Sequence, residues 1–259
     1  MFRTASAIAT SLILCHSVLA AQETEGSVSA ERIARLGGVD VGIQWGNVIV
    51  RPSVDGALHY RVVRDVSGPA EDSLRLLPEA VAYRLTETAS TWILSIERED
   101  AEPFVAALVV LEIPSTVHEL RLSMVRGGAI AVDGFAGDLQ VLSENGDVYL
   151  DGLRGPASVT AMNGEIRAAF VETSADSPIT LMSRNGGLRL EVPAGTAGDF
   201  EVETRSGAIR SGLPMSIEEL PGEIRSQQYR PRRATLTLPG NGPAVRLMTL
   251  NGDVDVVVR

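Results

Sequence analysis

Carboxylates are the residues of this chain whose types and spacing could do chemistry. Asp133, Asp147, Asp151, Glu165, Asp253 and Asp255 fall at or near the corners between short apolar segments, where they could line one edge of a repeated structure. Glycoside cleavage needs two carboxylates across a cleft, one of them kept protonated by burial. Turns use Asp and Glu at the same places for solubility and local hydrogen bonds, and that reading is adopted here. Calcium would need several oxygens converging on one point, and the chain does not spell a calcium nonapeptide. No catalytic, cofactor-binding or metal-binding residue is assigned, and no cofactor is expected.

A nucleophilic triad would need a histidine base. His59 and His118 lie in strand-like stretches, neither near a Gly-x-Ser-x-Gly elbow, and read as outward strand side chains. Gly37-Gly38 and Gly127-Gly128 are too isolated to make a phosphate loop or a dinucleotide fingerprint. The most distinctive local group is Arg225, Arg230, Arg232 and Arg233. Guanidinium forks hold carboxylates, phosphates and sulfates bidentately, so these four are candidates for anion binding. The plainer reading is a solvated loop paired with Glu218, Glu219 and Glu223. Trp45 and Trp92 read as end-of-core residues rather than sugar platforms.

Composition narrows the classes. The chain has 259 residues and a formal net charge of −10, and all 23 of its basic residues are arginine. Nucleic-acid binding would call for a basic patch, so no nucleic-acid partner is expected. One cysteine, Cys15, excludes a disulfide framework. Residues 1–20 carry an early charge at Arg3, an apolar stretch over Ile8 to Leu14 and a small-residue site at Val18-Leu19-Ala20. That is the pattern of a cleaved signal peptide, and the apolar run is too short to span a bilayer. Leu14 before Cys15 is too large for a lipobox. The remainder, 21–259, is read as one exported domain without cysteine or a transmembrane segment, periplasmic or extracellular.

The elements that position these residues repeat. Six segments align on one glycine: Gly128, Asn145-Gly146, Asn163-Gly164, Asn185-Gly186, Ser206-Gly207 and Asn251-Gly252. The intervals are 18, 18, 22, 21 and 45 residues, the last close to two units. A period near 20 is too short for paired helices, so each unit is strand, turn, strand. Leu139 and Val141 before the corner, and Val148 and Leu150 after it, alternate with polar residues, which turns one face inward. Asn-Gly is expected at the corners because both residues accept positive φ.

Antiparallel hairpins and a β-solenoid both fit this pattern. Recurrence of the same turn at the same place favours the all-β solenoid of 18–22-residue coils, with equivalent residues stacked in neighbouring coils. Residues 111–259 hold the clear Asn-Gly repeats, and 39–110 read as degenerate N-terminal coils, beginning with Trp45-Gly46-Asn47-Val48-Ile49-Val50. Glu71 to Val81 is the one good helical candidate. Pro214 to Pro243 reads as an excursion. Val254, Val256 and Val258 end the chain in an apolar strand, which either another segment covers or which pairs with a second copy.

The motif Asn-Gly-Asp-Val-x-Leu, the stretch Leu190-Glu191-Val192-Pro193-Ala194-Gly195, and Gly240-Asn241-Gly242-Pro243 leading into Leu247 to Val254 resemble a bacterial family of proposed adhesins. That family is a β-strand-repeat domain of unknown function related to the heads of auto-transporter adhesins. The resemblance covers about 110–259 specifically and 39–110 loosely. It implies a cell-envelope scaffold or adhesion module with no established catalytic residues, its partner an envelope protein or glycan. Two alternatives stand beside it: a polysaccharide lyase or hydrolase, which acids or arginines clustered in a groove would favour, and a periplasmic sensing or accessory protein.

Overall fold

The computed structural model describes residues 22–67, 83–96, 104–220 and 231–259. The leader at 1–20, the helical candidate at 71–81, Arg225 and Arg230 lie outside them. The N-terminal elements are β1 (Gln22–Val28), α1 (Ala30–Leu36), β2 (Gly38–Ile43), β3 (Gly46–Pro52), β4 (Leu58–Ser67), β5 (Tyr83–Glu87), β6 (Thr91–Ile96) and β7 (Phe104–Ile113). The repeats supply β8 (Glu119–Met124), β9 (Gly128–Asp133), β10 (Asp138–Asn145), β11 (Asp147–Leu153), β12 (Ala157–Asn163), β13 (Ile166–Phe170), β14 (Ile179–Asn185) and β15 (Leu188–Val192). The chain ends with β16 (Gly198–Ser206), β17 (Ile209–Ser211), β18 (Ser216–Glu219), β19 (Arg232–Leu238), β20 (Ala244–Asn251) and β21 (Val254–Val258).

These strands make an all-β fold of two mixed, open sheets. One runs β1-β4-β7-β3-β9-β11-β13-β15-β21-β17, and the other β18-β19-β16-β20-β14-β12-β10-β8-β2-β6-β5. Each repeat gives its first strand to the second sheet and its second strand to the first. Equivalent strands pair in parallel, as Leu139 with Ala157 and Val148 with Ile166 do. Antiparallel hairpins within the repeats are thereby excluded.

Period-two alternation decides what lies between the sheets. Val48, Ile130, Val148, Ile166, Leu188 and Val254 form one inward column, each at most 2% exposed. Leu122, Val141, Val159, Leu181, Leu247 and Val202 form a facing one. Rings are few because each unit contributes one narrow aliphatic layer.

Spatial order departs from chain order. The sixth unit, β20 and β21, does not follow the fifth. It lies between the fourth (β14, β15) and the fifth (β16, β17). The 45-residue interval is therefore not two units in line. The chain makes the antiparallel strands β18 and β19 at the sheet edge and then returns to fill the place between two earlier units. Of the two readings of the C-terminal strand, coverage by another segment is the one found: Val254 to Val256 pair with β15 on one side and β17 on the other.

The edges of the stack are short or charged, as an edge exposed to other chains must be. β17 has three residues and carries Arg210, and β18 carries Glu218 and Glu219. One helix occurs among the described residues, α1, which the sequence reading missed. Its seven residues show only Ile33 and Leu36 on an apolar face, and Gly37 at φ 70 ends it with its N–H on Ile33 O. Trp92 is 2% exposed and meets Tyr60 at 5.4 Å between ring centroids, closing its end of the core.

Candidate functional site: a trough across the outer face of one sheet

Corner residues set the spacing on which any surface site is built. Gly128, Gly146, Gly164, Gly186, Gly252 and Gly207 stack in that order, one per unit. Only Gly128 (φ 130) and Gly146 (φ 150) of these have positive φ. The common reason for glycine is the neighbouring backbone: a Cβ at Gly164 would stand 2.2 Å from Gly146 O, at Gly186 1.9 Å from Gly164 O, and at Gly252 2.1 Å from Gly186 O. The expectation of Asn-Gly as a positive-φ turn is corrected to a close-approach requirement.

The asparagines complete the corner. Asn163 donates its amide to Asn145 Oδ1 (2.9 Å), Asn185 to Asn163 (2.8 Å) and Asn251 to Asn185 (2.8 Å), in a ladder along the stack. Inside it, Ser183 Oγ donates to Gly164 O, Thr249 Oγ1 to Gly186 O and Thr204 Oγ1 to Gly252 O. Corner acids act as the turn reading expects. Asp147 accepts the Glu165 N–H, and Asp253 the Ala208 N–H, each at 2.8 Å. That bond is the main cause holding the Asp253 carboxyl below its ordinary value, with partial burial opposing and Arg210 assisting.

The two described members of the arginine group are internally engaged. Arg232 donates to Gly207 O, and Arg233 Nη2 lies 3.1 Å from Glu203 Oε2. They sit on β19 opposite Glu219 and Glu218. His59 pairs with Asp55 at 2.8 Å, and the His118 ring covers Gly37. Nothing brings these groups together as a catalytic set.

Outward positions on the first sheet do converge. Val110, Ile49, Ala131, Tyr149 and Arg167 are successive cross-strand neighbours on β7, β3, β9, β11 and β13. Beside them Arg51, Asp133, Asp151, Glu191 and Arg259 border a trough of about 480 Å³. Arg51 also lines a second concavity of about 610 Å³ over β1, β4 and β7, with His59, Arg61 and Glu112. The two concavities share Arg51 as a common wall, and the first runs across the strands as a trough.

Its walls are preorganised. Tyr149 donates to Asp147 Oδ2 at 3.0 Å, and the Arg167 guanidinium lies 5.9 Å from its ring centroid. The bond to Asp147, with some desolvation, holds the Tyr149 hydroxyl above its ordinary pKa and so keeps it a donor. Arg167 is itself fixed by a two-point contact with Glu165, 2.9 Å at each nitrogen. Glu191 takes Arg189 at 2.7 Å and also Arg259, and these bonds, Arg189 first, lower its pKa against partial burial. The side chains of Arg51 and Asp133 have no hydrogen-bond or ion-pair partner among the described residues.

No family model and no curated protein matches the chain. Its fold likenesses are to solved structures. One is a proposed cell adhesion protein from Clostridium sporogenes, with 8% identity over 93% of this chain and 100% of that one, TM-score 0.48. Another is a proposed adhesin from Bacteroides fragilis, with 13% identity over 93% and 98%, TM-score 0.42. A proposed adhesin from Parabacteroides distasonis has 10% identity over 91% and 97%, TM-score 0.32. Those names belong to those proteins.

The trough was not anticipated from sequence, although its signal was there. Once the units are aligned on their glycines, Tyr149, Arg167 and Arg189 share the second position after the corner acid or glycine. Ala131 holds the same position after Gly128, and Ile49 after Gly46 in the degenerate unit. Among the described residues no helix is long and apolar enough to cross a membrane, and no cluster of three metal-ligating side chains occurs.

Proposed function

We propose that the chain is an exported, non-enzymatic β-solenoid scaffold of the cell envelope, whose trough-bearing sheet face is an adhesion or interaction surface. The supporting observation is the trough itself. It runs across five strands, β3, β9, β11, β13 and β15, tied unit to unit by main-chain ladders and, at the corners from Asn145 to Asn185, by a side-chain amide ladder, so its side chains are held at a fixed pitch. The stacked Asn-Gly corners play the structural part in this reading. The anion-binding role for Arg225, Arg230, Arg232 and Arg233 is not carried forward, since the two described members serve the fold. Export rests on the leader pattern of residues 1–20.

The enzyme alternative is favoured by one observation: Asp133 and Asp151 are direct cross-strand neighbours in the trough. A glycosidase also needs a carboxyl raised by its surroundings. In the trough Glu191 is lowered, and Asp40, raised chiefly by burial, sits on the outward face of the other sheet.

The test is expression of the full chain in a bacterial host, with fractionation, N-terminal sequencing and sedimentation of the product with envelope material. The expected result is cleavage after Ala20, recovery outside the cytoplasm, and co-sedimentation without release of reducing ends. Cytoplasmic retention contradicts export, and reducing-end release establishes the enzyme alternative.

A further inference from the structure

We propose that the trough binds a neutral polysaccharide, with one pyranose ring seated in the slot between Tyr149 and Ile49. This rests on the reading of the trough as the interaction surface. Ile49 and Tyr149 flank Ala131, so their backbones stand two inter-strand spacings apart, about 10 Å. Two van der Waals contacts of about 3.5–4 Å and a puckered ring between them fill such a gap. Ala131 makes the slot, since a larger side chain there would close it. Arg167 holds one side of Tyr149, and the side towards Ala131 faces the slot.

The rim selects the chemistry. Arg51 and Asp133, both without partners among the described residues, border this slot and offer donors and acceptors side by side. Adjacent hydroxyls, each both donor and acceptor, match that pair. Over this part of the trough Arg51, Arg167 and Arg259 balance Asp133, Asp151 and Glu191, and the chain as a whole carries −10, which disfavours polyanions. An extended peptide fits less well, because backbone groups on a sheet face are already used in the ladder and a strand adds at an edge. The crossing of five strands suits a polymer that meets one side chain after another.

Affinity electrophoresis decides it, using glucomannan and xyloglucan as neutral probes, polygalacturonate as the acidic one, and wild type, Tyr149→Ala and Ala131→Trp. Both substitutions are on the outward face, and unchanged thermal melting confirms that the fold is kept. Retardation by a neutral polymer, weakened roughly tenfold or more by each substitution, is the expected result. Retardation by polygalacturonate alone overturns the neutral class and leaves the trough as an interaction surface. Neutral retardation indifferent to both substitutions overturns the slot. No retardation by any polymer, with envelope co-sedimentation intact, overturns the glycan inference and spares the scaffold. Loss of both overturns the scaffold as well.

Discussion

Gly186 and Gly187 are adjacent glycines with different roles. A Cβ on Gly186 would stand 1.9 Å from the Gly164 carbonyl oxygen, whereas at Gly187 the nearest atom is 3.4 Å away. Gly186→Ala is therefore expected to cost on the order of 3 kcal/mol, and Gly187→Ala less than about 1. Chemical denaturation of the two variants checks this, and equal losses would contradict the stacked corner. Asn163→Ala removes a donor to Asn145 and the acceptor for Asn185, with an expected loss of about 1 kcal/mol on this exposed ladder. The corner positions were legible from sequence, because Asn-Gly is rare outside turns. Their cause was not, because the oxygen that forbids a Cβ belongs to a residue about 20 positions away and comes near only after stacking.

At the scale of elements, the placement of β20 and β21 carries the consequences. Removing 244–259 takes a unit from between two others and leaves four strands facing a gap. Such a truncation is expected to unfold 179–220 along with it, read as lost amide protection across β14 to β17. Retained protection there would contradict the interposed unit. This unit and the neighbouring β15 are expected to be acid-sensitive. Asp253 and Glu191 are both held below their ordinary values of 3.8 and 4.5 by bonds made in the fold. Their contribution is complete above about pH 5 and is lost as pH falls through the lowered values, because the unfolded chain takes up protons first. Asp253→Asn is expected to flatten the decline of melting temperature below that pH; an unchanged slope would contradict it. Strands were readable from alternation, and even the degenerate unit at Gly46 stacks on Gly128 with a Cβ-to-oxygen approach of 1.6 Å. The order of units was not, since an interval of 45 fits two units in line as well as a return. Nor was α1, whose seven residues span too few turns to establish a helical period.

At the scale of the whole molecule, two outward faces offer themselves to a partner. The first sheet carries the trough, with Tyr149 and Arg167 held by their neighbours and the Arg51 side chain without a partner among the described residues. The second carries Leu142, Met162, Met182 and Leu250 as exposed side chains. The proposed binding surface is the first face. The direct measurement is envelope co-sedimentation of wild type beside two folded variants, Arg51→Ala/Tyr149→Ala on the trough and Leu142→Ser/Met182→Ser on the opposite sheet. The trough variant is expected to lose most of its binding, on the order of tenfold or more, while the opposite-face variant binds as wild type does. Full binding by the trough variant, with loss in the other, would contradict that expectation.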